Sequence, residues 1–157
     1  MIYELPYVVT SYRVREWCKL PYINHPHGCP NYGNRDICPP DSPLFEDIVK
    51  PPYYLIVIRY DLKSHIERMK NKHPNWSERQ LRCCLYWQNT AKKMLKSKIN
   101  RFVKSLDFNY IILDGINSPS PEATGVNLFT TANLVGIKLK TYPKDYVYKM
   151  AIIGKRK

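Results

Sequence analysis

Tyr53-Tyr54-Leu55-Ile56-Val57-Ile58-Arg59-Tyr60 is the stretch on which the fold turns. An unbroken β-branched, aliphatic and aromatic run behind Pro51-Pro52 predicts a strand buried on both faces, because a half-exposed strand would alternate apolar and polar residues. Asp61 can cap a helix reaching about Asn71, which His73-Pro74-Asn75 ends. Ser77 and Gln80 then have the spacing of a capping box, and Trp76 and Leu81 that of a hydrophobic staple, so a helix is expected to begin at Glu78. Leu81, Cys84, Leu85, Ala91, Leu95, Ile99, Phe102, Val103 and Leu106 recur at helical spacing, which predicts one long basic amphipathic helix over 77–106. Phe108 to Leu113 follows as a second buried strand, stopped by Asp114-Gly115. Strand, helices and strand in this order imply a right-handed crossover and parallel neighbours.

Outward from that centre, Tyr3 to Tyr12 suits an opening strand and Leu44 to Val49 one helical turn. Asn127 and Gly136 bracket a short helix, and Tyr146 to Ile153 reads as the last strand. The expected class is α/β or α+β: a small mixed, partly parallel sheet packed by one long helix and short ones, in a single domain over 1–157. At 157 residues the chain can bury one core without disulfide staples. No apolar run is long enough to cross a membrane. The opening Met1-Ile2-Tyr3-Glu4-Leu5-Pro6 lacks a basic start and an apolar core, so a cytoplasmic location is expected.

Residues 18–52 have a different texture, crowded with proline, glycine and asparagine. A loop of that length inside a compact domain needs something to hold it. Cys18, Cys29 and Cys38 lie within it, with His25 and His27 between the first two. An odd count of five cysteines without an export signal argues against a disulfide framework and for metal binding. Thiolates select zinc, copper(I) or iron-sulfur clusters, and a metal would supply the loop's missing folding energy. The Cys29-Pro30 and Cys38-Pro39 pairs resemble the Cys-Pro of ferredoxin ligand runs and favour an iron-sulfur cluster of the four-iron type over zinc. No Cys-x2-Cys pair of zinc-finger kind is present. A fourth ligand is open among Cys84, Cys83, His25, His27 and an unfilled position; Cys84 lies close to the centre of the helix's apolar stripe.

Val14-Arg15, Cys18, Gly28-Cys29-Pro30-Asn31-Tyr32-Gly33 and Cys38-Pro39-Pro40 resemble the N-terminal signature of the family of predicted metal-binding proteins called domain of unknown function 2284. Pro121-Glu122-Ala123-Thr124-Gly125-Val126-Asn127-Leu128-Phe129-Thr130-Thr131-Ala132 is similar to the same family's C-terminal stretch. The resemblance implies a metal centre of iron-sulfur type. Members usually carry a second cysteine group just before the C-terminal stretch; Asp114 to Ser120 here has none, which argues against a two-cluster electron-transfer role. The family brings no settled activity.

Lys and Arg number 25 against 13 Asp and Glu, a formal charge of +12, as expected of a partner for nucleic acid. Between Arg79 and Lys104 there is no acidic residue. On one continuous helix, Arg79, Arg82, Tyr86, Lys93 and Lys104 fall in a narrow sector, a row of cations with an aromatic ring that can follow a phosphate backbone and stack on an unpaired base. The leading expectation is a metal-binding protein associated with nucleic acid, RNA before DNA, and with no membrane. The alternatives are an enzyme with an open iron site acting on sulfur or a modified base of RNA, with Asp114 or Glu122 as proton carrier, and a redox or electron-transfer protein.

Overall fold

The computed structural model describes residues 1–22 and 25–157. In chain order the elements are β1 (Ile2–Leu5), α1 (Tyr12–Arg15), a 3-10 turn (Glu16–Lys19), α2 (Phe45–Ile48), β2 (Val49–Asp61), α3 (Leu62–Lys72), α4 (Glu78–Arg82), a 3-10 turn (Cys84–Tyr86), α5 (Gln88–Val103), β3 (Tyr110–Leu113), a 3-10 turn (Glu122–Thr124), α6 (Leu128–Asn133) and β4 (Tyr146–Arg156). The class is α+β, with one antiparallel four-stranded sheet in the order β1-β2-β4-β3.

The partly parallel sheet of the sequence reading is corrected by this order. The strand-helix-strand connection does send β2 and β3 the same way, but β4 is inserted between them and runs against its neighbours. A C-terminal strand with Ala151, Ile152 and Ile153 fully buried is apolar enough to take the central place. On one side β1 pairs with β2 from Ile2↔Ile56 to Leu5↔Tyr53; on the other, β3 pairs with β4 from Tyr110↔Lys155 to Leu113↔Ile152. β2 also begins earlier than expected, at Val49, and runs through Pro51-Pro52. Those prolines precede the β1 ladder, so their missing N–H groups take no bond from it.

The chain forms two compact units. One comprises Met1, Val57–Ser105 and Lys140–Met150; the other comprises Ile2–Ile56, Leu106–Leu139 and Ala151–Lys157. In the first, α3 is capped by Asp61, whose carboxylate accepts the Ser64 N–H at 2.9 Å and the Ser64 hydroxyl at 2.8 Å. These bonds hold its pKa below the usual carboxylate value. α4 opens with the reciprocal Ser77–Gln80 capping box, and α5 buries Ala91, Leu95 and Ile99 on one stripe.

The single helix over 77–106 is corrected. The chain leaves the helix at Cys83 (φ −56°, ψ 122°), passes through the Cys84–Tyr86 turn and starts again at Gln88. Neither proline nor glycine breaks it. Trp87 turns inward, stacks on Tyr60 of β2 with ring centres 5.3 Å apart, and donates its indole N–H to the Arg82 carbonyl at 3.2 Å. A stack of half-buried Trp87 on buried Tyr60 and a capped carbonyl outweigh the local helical preference of the segment.

In the second unit the buried side chains include Leu5, Phe45, Leu55, Ile56, Leu113 and Val126. Gly154 of β4 has no side chain because Val49 Cγ1 sits 2.3 Å from where its Cβ would stand. Among the described residues no helix is long and apolar enough to cross a membrane.

Candidate metal centre and basic face

Cys18 ends up half-buried in the 3-10 turn that follows α1. Cys29 is drawn to it by backbone: its N–H donates to the Cys18 carbonyl at 2.7 Å. Gly28 makes that approach possible. Its φ of +86° is unfavourable for any residue with a Cβ, and a Cβ there would lie 2.5 Å from the Cys18 carbonyl oxygen and 2.7 Å from the Lys19 carbonyl carbon. Cys38 is held by a run of turns, with its own N–H on the Arg35 carbonyl (3.0 Å), the Ser42 N–H on the Cys38 carbonyl (3.0 Å) and the Gly33 N–H on the Pro39 carbonyl (2.7 Å). Residues 23 and 24 of the expected 18–52 loop lie outside the described residues.

Arg15 clamps the far end of this loop from within. It is 5% exposed, and its Nη2 donates to the Pro40 carbonyl (2.7 Å), the Ser42 carbonyl (2.6 Å) and the Ser42 hydroxyl (3.3 Å). The Ser42 hydroxyl in turn donates to the Ala123 carbonyl at 2.7 Å, and the Ser11 N–H donates to the Gly125 carbonyl at 2.8 Å. The segment after Cys38 and the turn at Ala123, separated by about 80 residues of chain, are thereby joined through one buried serine. Arg15 Nε has no hydrogen-bond partner, so the clamp spends a costly buried guanidinium and leaves one donor unused.

The three loop thiols are electrostatic neighbours. Burial pushes the Cys18 thiol above its ordinary pKa, and the charges of Cys29, Cys38 and Glu122 push it in the same direction. Anionic groups that repel one another in a partly desolvated place have the chemistry of a cation site, because a metal ion reverses the sign of that cost. Among the described residues, no group of three or more His, Cys, Asp or Glu side chains is placed to hold a metal ion. The loop cysteines fit a thiolate centre by donor type alone.

The other ligand candidates differ in their surroundings. His25 is bonded across to Tyr22 through both backbone groups, with its ring 4.5 Å from the Tyr22 ring, and His27 is exposed. Cys84, expected on an apolar stripe, is instead exposed, since the helix break lifts it off the core face. Cys83, beside it, is half-exposed. Of the two carboxylates considered as proton carriers, Asp114 is spent on its own turn, accepting the Ile116 N–H (2.8 Å) and the Ser118 hydroxyl (2.9 Å). Glu122 adds its charge to the upward push on the Cys18 thiol.

The broken helix also divides the expected row of cations. Arg79 and Arg82 are on α4, Tyr86 is in the 3-10 turn, Lys93 is on α5 and Lys104 is its C-cap. Arg82 is engaged, with Nε 3.3 Å from Glu78 and Nη1 on the Pro143 carbonyl. Tyr86 is 53% exposed, its ring centre 4.9 Å from that of Trp76, which also stacks on His73 at 4.0 Å. Trp76 therefore builds an aromatic ladder in addition to any role as a staple. What persists is α5 itself, acid-free, with Lys93, Lys96, Arg101 and Lys104 exposed opposite the buried stripe.

Arg15 and Ser42 were not singled out by residue chemistry; the sequence signals for them are the Val14-Arg15 pair before Cys18 and the hydroxyl residue four positions after Cys38. No family profile, curated protein or solved structure matches the chain.

Proposed function

We propose that this chain is a metal-centre protein whose Cys18, Cys29 and Cys38 hold an iron-sulfur cluster, favoured over zinc, and that it associates with nucleic acid, RNA before DNA, through the exposed face of α5. What supports the reading is three cysteines in one loop that buries little apolar area, with Cys18 and Cys29 joined through their backbone at Gly28 and the far end held by the buried Arg15. Cys-Pro pairing favours iron over zinc. When bound, such a cluster supplies an electron store or a Lewis-acidic iron. The protein's own part is to present three thiolates, exclude water from one side of Cys18 and hold the loop through Arg15.

The test is elemental analysis for iron, zinc and sulfide on chain purified without oxygen, with Cys18, Cys29 and Cys38 changed singly to Ser. About four irons and four sulfides per chain, lost in every variant, is the expected result. About one zinc per chain would make the centre a staple for the loop. Metal retained in all three variants would end the reading.

Association with RNA is supported by a separate observation, the acid-free α5 with its exposed cations. Single-stranded RNA is expected to be retained at low salt and released steeply as salt rises, each neutralised phosphate contributing about 0.7 to the logarithmic slope.

A further inference from the structure

β3 closes one end of the sheet, hydrogen-bonded to β4 and, among the described residues, to no other strand. Its Tyr-Ile-Ile-Leu carries neither charge nor proline, whereas β1 at the opposite end carries Glu4 and is followed by Pro6. Charges and prolines are what edge strands commonly use to refuse a further strand. The phase of the ladder shows which backbone groups are left over. Arg156 donates its N–H to the Asn109 carbonyl at 2.8 Å, so these two form a hydrogen-bonded pair, and by alternation so do Ile111 with Gly154 and Leu113 with Ile152. The N–H and C=O of Tyr110 and Ile112 therefore point away from β4, out of the sheet's edge. The open edge ends at Asp114, whose N–H goes to the Ser118 hydroxyl at 3.1 Å.

A groove of about 490 Å³ lies against this strand, lined by all four of its residues together with Pro43, Ile48, Asn117, Ser118, Pro119 and Arg156. All of them belong to the second compact unit. Tyr110, Ile111 and Ile112 are half-buried, so apolar side-chain surface is open to a partner beside the backbone groups. Arg156, itself exposed, is the charged residue of that lining and stands at the Tyr110 end of the strand. Lys155 is opposite Tyr110 in the register, and Asp107 is the acid nearby. Two cations against one acid leave this end of the groove basic.

We propose that β3 takes up an extended segment of an acidic partner protein as a fifth strand, antiparallel to it, with a carboxylate at the segment's C-terminal end on Arg156. Backbone bonds to Tyr110 and Ile112 supply the affinity, while the apolar walls of the groove and the Arg156 charge supply the selectivity. Antiparallel pairing continues the direction of the sheet and brings the C-terminal end of the segment to the Tyr110 end of β3, where the cations are. A second copy of this chain is disfavoured as the occupant, because each copy carries a formal charge of +12. The interaction is independent of the loop cysteines and of α5.

The probe is a fluorescein-labelled peptide, Val-Thr-Val-Tyr-Val-Asp with a free carboxyl terminus, titrated with the full-length chain and read by fluorescence anisotropy. Saturable binding is expected. Ile112→Pro removes an outward N–H and no bond to β4, so it should weaken binding about tenfold or more. Arg156→Glu should weaken it about twofold to fivefold and reverse the preference between this probe and one whose terminal Asp is replaced by Lys amide. N-methylation of the probe at alternate residues is independent of any folding defect in the variants: one set of positions should abolish binding to the wild-type chain and the other should leave it unchanged. No saturable binding, an equal effect of the two N-methylated sets, or an Arg156→Glu chain that still prefers the acidic probe would each overturn the proposal. Sedimentation should show a monomer; a dimer dissolved by Ile112→Pro would make a second copy the occupant and overturn the acidic partner.

Discussion

The helix α5 and the loop that follows α1 are stabilised in opposite ways. α5 buries Ala91 and Leu95 completely and Ile99 nearly so, and any one of these contributes chiefly by the apolar area it removes from water. Among the described residues from Arg15 to Leu44, the buried ones are Arg15, Gly28, Pro39 and Ser42, none of them a large apolar side chain. That loop is held at points: a guanidinium on two carbonyls, a glycine that lets two strands of backbone touch, and a serine that ties it to Ala123. Distributed burial tolerates change gradually. Point contacts are kept or lost one at a time, and a bound metal would add to them the cohesion that area supplies elsewhere.

The largest effect that this contrast predicts is on the burial side. Leu95→Ala should cost about 2–5 kcal/mol, read as a lower urea midpoint, because it leaves a cavity in a well-packed stripe. A cost under about 1 kcal/mol would mean that α5 is not held by burial.

On the loop side, Gly28→Ala should cost about 1–3 kcal/mol for the left-handed backbone alone, with a backbone clash in addition, and should abolish metal uptake, read as iron and sulfide content. Gly33→Ala sharpens the comparison. Its φ is +71°, but nothing lies within 4 Å of the added Cβ, so the conformational cost remains and metal uptake should survive. Equal loss in both variants would show that flexibility, and not the approach of Gly28 to Cys18, is what the loop requires.

Acid should act on the loop and on the unit that carries α5, through different groups. Burial, followed by the charge of Arg68, lowers the pKa of His65, which is 4% exposed with Nδ1 3.3 Å from the Tyr60 hydroxyl and no partner at Nε2. The folded chain therefore holds the neutral ring. Stability is fully present above the unfolded value of about 6.5 and is lost as the pH falls below it through the folded pKa. His65→Gln should flatten that part of the profile. In the loop, the raised Cys18 pKa means that metal must displace a more tightly held proton, so uptake should release protons and strengthen as the pH rises toward the thiol range.

The smallest effect on stability is expected from charge reversal at Lys93, Arg101 and Lys104, about 0.5 kcal/mol or less per exposed site. The same triple variant should lose most of its salt-dependent retention of single-stranded RNA. Unchanged retention would detach α5 from nucleic acid.

Much of the fold was legible because it depends on neighbours in sequence. The run Tyr53 to Tyr60, the Ser77–Gln80 box, the Asp61 and Asn127 caps and the 3.6-residue stripe of α5 all appear where local chemistry calls for them. The break at Cys83 was not legible, because its cause is the stacking of Trp87 on a tyrosine 27 positions earlier. That break also took Cys84 off the core and divided the cation row. The central place of β4 was hidden for the same kind of reason, since strand order is settled by which faces bury the most area and not by connection length.

For the candidate site, the sequence alone supplied the proposed donors: three cysteines in a proline-constrained loop, with thiolate chemistry inherent in the residues. Only the tertiary structure decided what stands around them. Arg15 looked like one more cation among 25 until folding buried it, and Glu122 looked like one of two equivalent carboxylates until Asp114 closed its own turn and Ser42 tied the Glu122 turn to the loop. Ligand type is a property of the side chain. Proximity across about 80 residues of chain is a property of the backbone bonds and buried contacts that folding makes, and no local pattern encodes it.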